Sequence, residues 1–329
     1  MRAITYSEFG PANDVLKLVD LPTPEPAPGE VLVRLKTSGV NPSDISGRSG
    51  MRPGVTKPAY PQIIPHSDGA GVIKAVGEGV DPARIGQRVW VWNGQWQRAF
   101  GTAAEFIALP SEQAVALPDN TTFAEGAVLG IPAMTATYCV LGGGDVAGKT
   151  LLVSGGGGTV GRLAVQIAKA SGARVIATAG SAAQQDAARQ AGADAVLGYN
   201  DPDLAAGILA ANDGKPVDQV VEVEFGPNAE VNTAVIAERG RIVAYGSAKD
   251  RAPVLPFYPL MFKGVTLEMA LVYILSDDAR RKAEAQLTAL LEQGALDIRI
   301  SHTLSLEDCA EAHDIIASGQ RAGSVILKI

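Results

Sequence analysis

The pattern of apolar and polar positions changes character once along this chain. As far as about Asn120, short apolar runs stand between turns rich in Pro and Gly, as at 30–35, 71–76 and 88–92. Branched and aromatic residues in runs this short predict strands, and many such strands between turn signals predict a β-rich, barrel-like domain. Trp90 and Trp92 share one face of their strand by its two-residue period and are expected to pack within that domain. From about Phe123 apolar strands alternate with segments of helical period. Strands are predicted at 150–153, 174–178, 195–197, 219–223, 241–245 and 265–272. Between and after them, Val160, Ala164 and Ile167 recur at helical spacing, and helices are predicted at 184–191, 231–238 and 277–293. This pitch predicts an α/β unit with a doubly wound parallel sheet. The chain closes on a short strand at 324–329.

At 329 residues the chain is too long for one simple core, in keeping with the two textures. A content of 47% hydrophobic and 19% charged residues is that of a globular protein. The net charge of −7 provides no concentrated positive field for nucleic acid. The longest basic cluster, Arg280-Arg281-Lys282, has Asp277, Asp278 and Glu284 around it and reads as a solvated helix face. No apolar run approaches the roughly 20 residues of a membrane span. Residues 1–6 read as a strand rather than a secretion signal, so a cytoplasmic protein is expected. Cys139 and Cys309 are too far apart in sequence to form a zinc-type spacing or a disulfide framework.

The strand at 150–153 runs into Ser154-Gly155-Gly156-Gly157-Gly158-Thr159-Val160-Gly161, in which Gly156, Gly158 and Gly161 satisfy G-x-G-x-x-G. A tight reversal, close approach to a pyrophosphate and close helix–strand packing each call for glycine, and the helix N-terminus then faces the phosphates. An NAD site usually carries Asp or Glu about 20 residues further on, against the ribose 2′-hydroxyl. Residues 175–185 contain no acid, and NADP(H) is expected as cofactor. No Lys or Arg stands there either. Ser181 offers a hydrogen bond to the 2′-phosphate or caps a helix, and Tyr199 or Arg321 are candidates to complete the pocket.

With these residues in place, the chain resembles the zinc-free quinone oxidoreductases of the medium-chain dehydrogenase/reductase superfamily, the group that includes zeta-crystallin. The likeness is carried by Ser38-Gly39-Val40-Asn41-Pro42-Ser43-Asp44, Ser67-Asp68-Gly69-Ala70-Gly71-Val72-Ile73, Gly77-Glu78-Gly79-Val80, Gly101-Thr102-Ala103-Ala104-Glu105, Met134-Thr135-Ala136 and the glycine turn, in family order. It implies a GroES-like β-rich catalytic domain at 1–123 and 274–329, with a Rossmann domain inserted at 124–273. It also implies a homodimer, paired through the edge strand at 265–271. Zinc relatives carry a Cys at the position of Asn41 and a His-Glu pair where this chain has Ser67-Asp68, so no metal is expected. His66, without such partners, reads as a structural hydrogen-bonding residue.

The resemblance further implies Asn41 as the catalytic residue, beside the nicotinamide together with Pro42, and Thr135 at the carboxamide end. Gly156, Gly158, Thr159, Val160 and Gly161 are expected at the pyrophosphate, Tyr245, Gly246 and Ser247 along the crevice, and Val272 at the nicotinamide amide. Two tyrosines that often flank the acceptor in relatives are replaced here by Ser46 and Arg52, and a basic residue near the 2′-phosphate by Gln184. The expected reaction is hydride transfer from NADPH to a small quinone. Two alternatives stand beside it. One is reduction of an enone or enoyl acceptor, with Tyr60 as proton donor. The other is non-catalytic NADPH binding.

Overall fold

The computed structural model describes residues 1–51, 54–319 and 321–329. Two compact units divide the chain, Met1–Ile131 with Ile298–Ile329, and Pro132–Asp297. In chain order the first contributes β1 (Arg2–Thr5), α1 (Ala12–Val15), β2 (Lys17–Asp20), β3 (Glu30–Val40), α2 (Pro42–Arg48), β4 (Asp68–Val76), β5 (Arg88–Val91), β6 (Phe106–Pro110), β7 (Ala114–Ala116) and α3 (Phe123–Gly126). The second follows with α4 (Met134–Leu141), β8 (Thr150–Val153), α5 (Thr159–Ala170), β9 (Arg174–Ala179), α6 (Ala182–Gln190), β10 (Ala195–Gly198), α7 (Leu204–Ala211), β11 (Val217–Glu222), α8 (Phe225–Val235), β12 (Ile236–Ala244), α9 (Phe257–Phe262), β13 (Thr266–Met269) and α10 (Asp277–Glu292). The chain then returns to the first unit with β14 (Ile300–Ser305), α11 (Cys309–Ser318) and β15 (Ser324–Lys328).

The first unit is the GroES-like domain, built on a sheet ordered β14-β15-β3-β4-β5-β7 with β6 also on β3. Alternation along β3 sends Val31, Val33 and Leu35 into a core shared with Ile73, Val89, Val91, Ile107 and Leu109. Trp90 is fully buried and Trp92 nearly so. Each apolar side chain taken fully out of water contributes about 1.5–3 kcal/mol. Register decides what meets at the end of β3. Gly39 pairs with Asp68 of β4 on one side and with Ile326 of β15 on the other. Asn41, which follows β3, therefore lies beside the start of β4, and α11, which leads into β15, lies close by.

The second unit is the Rossmann-type domain, with a wholly parallel sheet ordered β10-β9-β8-β11-β12-β13. Leu151, Leu152 and Val153 of β8 are all buried, as a strand covered on both faces requires. Chain order reverses between β8 and β11, and in open parallel sheets that switch point is where ligands enter.

Four sequence expectations shift. The helix read at 231–238 ends at Val235, because Ile236 turns extended and pairs with Val217 as the first residue of β12. Its apolar residues suit either period, and the sheet partner decides. The strand read to Val272 stops at Met269, and Val272–Ile274 forms a short 3-10 turn. The return to the first unit falls at Ile298 rather than 274, because α10 packs on α4 and buries Leu287, Leu290 and Leu291. The first boundary, at Ile131 rather than 123, reflects α3, whose Phe123 carbonyl accepts a hydrogen bond from Thr37 Oγ1 at 2.5 Å. No helix among the described residues is long and apolar enough to cross a membrane.

Candidate active site

The glycine turn leaves β8 at its C-terminal end, and all but one of its glycines answer a separate steric demand. Gly155 has φ +69°, the left-handed region where a side chain is strained. A Cβ on Gly156 would stand 2.7 Å from the Ala177 Cβ, one on Gly157 2.3 Å from the Gln184 carbonyl oxygen, and one on Gly161 2.2 Å from the Gly155 carbonyl oxygen. Gly156 N–H also donates to Thr178 O at 2.9 Å, pinning the turn to β9. Gly158 differs. A Cβ there would meet nothing nearer than 3.4 Å, and Gly158 caps α5. Behind it, the N–H groups of Thr159, Val160 and Gly161 occupy the first helical turn, where no intrahelical carbonyl reaches them. Packed glycines around one open position, facing unpaired donors and a positive dipole end, fit a dinucleotide pyrophosphate. The sequence motif missed Gly155, the residue that makes the left-handed turn.

At the end of β9, Ser181 caps α6 by accepting from Gln184 N, while Gln184 Oε1 accepts from Ser181 N, both at 3.3 Å. The Tyr199 ring lies against Gly180, where an added Cβ would come within 2.7 Å of it. Above that ring sits Lys249, its Nζ 5.5 Å from the centroid. Sequence inspection around 181 could not find this cation, because the loop after β12 delivers it. Arg321 belongs to the first unit, where it donates through Nη1 to Ile316 O at 3.2 Å at the end of α11.

Tyr245, Gly246 and Ser247 follow β12 at the C-terminal side of the sheet. Tyr245 N donates to Glu222 O at 2.9 Å, Gly246 O accepts from Phe225 N at 3.0 Å, and Ser247 Oγ accepts from Gly226 N at 2.9 Å. Gly246 is held to glycine by the Val223 carbonyl oxygen, 2.4 Å from where its Cβ would be. Burial, reinforced by Cys139 and Glu222, pushes the Tyr245 phenol well above its ordinary range, so it stays protonated. Buried Glu222 accepts from Glu224 N, Asn228 Nδ2 and Asn232 Nδ2 at 2.6, 3.0 and 2.8 Å, which fixes the end of β11. Thr135 is buried on α4. The Val272 carbonyl already accepts from Arg280 Nη2 at 2.9 Å, so one lone pair of that oxygen serves the fold.

In the first unit, Asn41 is buried at the N-terminus of α2, with Pro42 at the first helical position, where its missing N–H costs nothing. Asn41 N donates to Asp44 Oδ2 at 2.7 Å, and Asn41 Nδ2 to Asp68 Oδ2 at 2.8 Å. Asp68 is fully buried. Burial raises its carboxyl well above the usual range, the bond from Asn41 opposes that, and Asp44 adds to it. The Asn41 amide is thus oriented by a buried carboxyl. Ser67 Oγ accepts from Gln95 N at 3.4 Å. Of Asn41, Ser67 and Asp68, only the carboxyl is a donor type that zinc commonly takes; an amide and a hydroxyl are not. Ser46 donates to Pro42 O at 3.1 Å. Arg52 lies outside the described residues. His66 bonds Ser38 Oγ through Nδ1 at 3.0 Å, and burial alone lowers its pKa to about 3, so the ring is neutral.

Known proteins share both units. Residues 27–119 match the alcohol dehydrogenase GroES-like domain and residues 159–292 the zinc-binding dehydrogenase family. The quinone oxidoreductase of Sus scrofa is 32% identical, across 99% of this chain and 97% of its own. The Escherichia coli quinone oxidoreductase, solved in complex with NADPH, is 26% identical with a TM-score of 0.86 over the whole of both chains. A mycobacterial protein solved with NADPH is 28% identical with a TM-score of 0.87, again over the whole of both chains. A GroES-like domain interrupted by a dinucleotide-type parallel sheet defines a medium-chain dehydrogenase/reductase. Within that superfamily the chain belongs to the quinone oxidoreductase family.

Proposed function

We propose that the protein is an NADPH-dependent oxidoreductase that delivers hydride to a quinone, with no metal at the Asn41 position. The observation that carries this reading is the hydrogen bond from Asn41 Nδ2 to the buried Asp68 carboxyl, which presents an oriented neutral amide where zinc relatives place a charged ligand. Relatives named quinone oxidoreductase, two of them solved folds of the same design, support the acceptor class. NADPH, when bound, supplies the hydride. A conjugated quinone ring spreads the incoming negative charge itself, so the protein's work is positioning and hydrogen bonding rather than Lewis-acid polarisation.

Thr159, Val160 and Gly161 hold the pyrophosphate through backbone N–H groups, with Gly158 leaving room for its approach; the Gly158 N–H itself donates to Gly155 O. Ser181, Tyr199 and Lys249 meet the 2′-phosphate, with no acid at the end of β9 to repel it. In the second unit Thr135 and Val272 are assigned to the nicotinamide, with Tyr245 to Ser247 flanking it; in the first unit Asn41 and Pro42 are the residues assigned to the hydride chemistry. Enone reduction is the weaker alternative, since the Tyr60 hydroxyl proposed to protonate carbon is engaged with Gln97 O at 2.7 Å.

A homodimer paired through β13 belongs to the same reading. That strand ends the sheet, and Met269, Leu271 and Ile274 beside it are 66%, 45% and 65% exposed. Unpaired apolar edges call for a partner. Sedimentation of Met269→Arg should show monomer; an unchanged dimer would move the interface elsewhere. The activity is tested by mixing the protein with NADPH or NADH and a panel of quinones and enones while following cofactor absorbance. Turnover with quinones and preference for NADPH are expected. Turnover with enones alone, or binding with no turnover on any acceptor, would overturn the assignment.

A further inference from the structure

His66, Cys309 and His313 take no part in that chemistry, yet they bring three metal-ligating atoms within 4.8 Å of one another. All three side chains are fully buried. Helix α11 supplies Cys309 and His313 four residues apart, hence on one face, and the segment entering β4 supplies His66. His66 Nε2 lies 2.9 Å from His313 Nε2 and 3.9 Å from Cys309 Sγ.

Hydrogen bonding fixes which nitrogen of His66 faces the cluster with a lone pair. Thr102 Oγ1 donates to Asp68 O at 2.6 Å, so its own lone pair accepts from Ser38 Oγ at 2.8 Å. Ser38 Oγ has then spent its proton and accepts from His66 Nδ1–H at 3.0 Å. Nε2 is left bare. An imidazole held at its far nitrogen, with the other lone pair free to ligate, is the usual setting of a metal-bound histidine. The backbone agrees, since His66 sits at φ +75°, a conformation that costs a non-glycine residue energy and persists only where its surroundings demand it. On the other side of the cluster, His313 Nδ1 is buried with no hydrogen-bond partner among the described residues.

We propose that His66, Cys309 and His313 form a buried binding site for a single soft d10 metal ion, apart from the Asn41 site. On binding, the Cys309 thiol releases its proton to solvent and the sulfur bonds the ion. The His313 proton resides on Nδ1, and both Nε2 lone pairs complete a two-nitrogen, one-sulfur set. Metal–nitrogen bonds of about 2.0 Å and a metal–sulfur bond of about 2.3 Å separate the donors by roughly 3.3–3.7 Å. The two spacings from His66 Nε2 reach that with shifts of up to about half an ångström, and the Cys309–His313 spacing, within 4.8 Å, with about one ångström at most. Thiolate with imidazole suits copper(I) and zinc(II). Charge favours copper(I). One thiolate neutralises a univalent ion, whereas a divalent ion would leave a net positive charge in a site closed to water. Arg48 and Asp44 act on Cys309 with opposite signs and do not change that balance. The proposal departs from the expectation of a metal-free chain, and it leaves the hydride chemistry independent of the ion.

The test is competitive titration of full-length protein, native and refolded, with copper(I) under a reductant and separately with zinc(II). Binding is read by metal analysis and thermal shift. One ion per chain is expected, with copper(I) displacing zinc(II). Cys309→Ser should weaken binding at least 100-fold. Ser38→Ala, which removes the Nδ1 partner but no ligand, should weaken it about 10- to 100-fold. Should Cys309→Ser fail to fold, His313→Gln serves in its place. No stoichiometric ion in either preparation, or unchanged affinity in the ligand variants, overturns the site.

Discussion

The glycine turn and the polar network around Asp68 hold their functional groups in opposite ways. The turn is all backbone. Its donors are N–H groups, its shape comes from missing side chains, and its open position faces outward. The network turns on side chains, two carboxyls accepting from the Asn41 amide and its backbone N–H. Asn41, Asp44 and Asp68 satisfy one another inside the sheet domain, and each loses a partner if another is removed. The turn therefore fails when something is added, and the network when something is taken away.

The largest expected effect tests that contrast at the turn. Gly158→Asp puts a carboxylate on the open face, so folding should survive while NADPH binding weakens by more than about 100-fold, or about 2.7 kcal/mol. Gly161→Ala should do the reverse kind of damage. Its Cβ collides with the Gly155 carbonyl, and overpacking of this sort costs about 1–3 kcal/mol of stability. Calorimetric titration and thermal melts on both variants separate the two. Equal loss of stability in both would mean that Gly158 is no more open than its neighbours.

At the network, Asp68→Ala should cost about 1–3 kcal/mol, the penalty for leaving the buried Asn41 amide unpaired. Asp68→Asn is gentler and carries a pH signature. The folded carboxyl has its pKa raised above the unfolded one, so folding favours the protonated form. Its contribution is complete below the ordinary carboxyl range and is lost as pH rises above that range toward the folded pKa. The difference in melting temperature between wild type and Asp68→Asn should therefore shrink or change sign as pH rises from about 4. A difference that stays constant with pH would mean that Asp68 is ionised in the folded chain.

The same contrast explains what was legible in the sequence. The turn is local, so strand, glycines and helix stand in one stretch and could be read as a unit. So could the parallel sheet, whose strands announce themselves by apolar runs. Asn41 and Asp68 were recognisable only through family likeness, because the pairing of β3 with β4 brings together side chains 27 residues apart. Nothing in the sequence joined His66 to Cys309 and His313. Their meeting depends on the chain returning after the sheet domain to lay β15 against β3. The helix misread past Val235 has another cause, since an apolar run that suits two periods is assigned by its sheet partner.

Lys249 is a third case, a single side chain over the Tyr199 ring, and its expected effect is the smallest. Its ammonium lies over Tyr199, beside a strand end free of acids. An exposed lysine gains only about 0.2–1 kcal/mol from such a pairing. Lys249→Ala should therefore weaken NADPH about two- to fivefold in a fluorescence titration, and leave NADH almost unchanged, because only NADPH carries the 2′-phosphate. Lys249→Glu should widen the gap by adding repulsion. If both cofactors weaken together, Lys249 supports the loop after β12 rather than the phosphate, and selectivity rests on the absence of an acid at Thr178 to Ser181 alone.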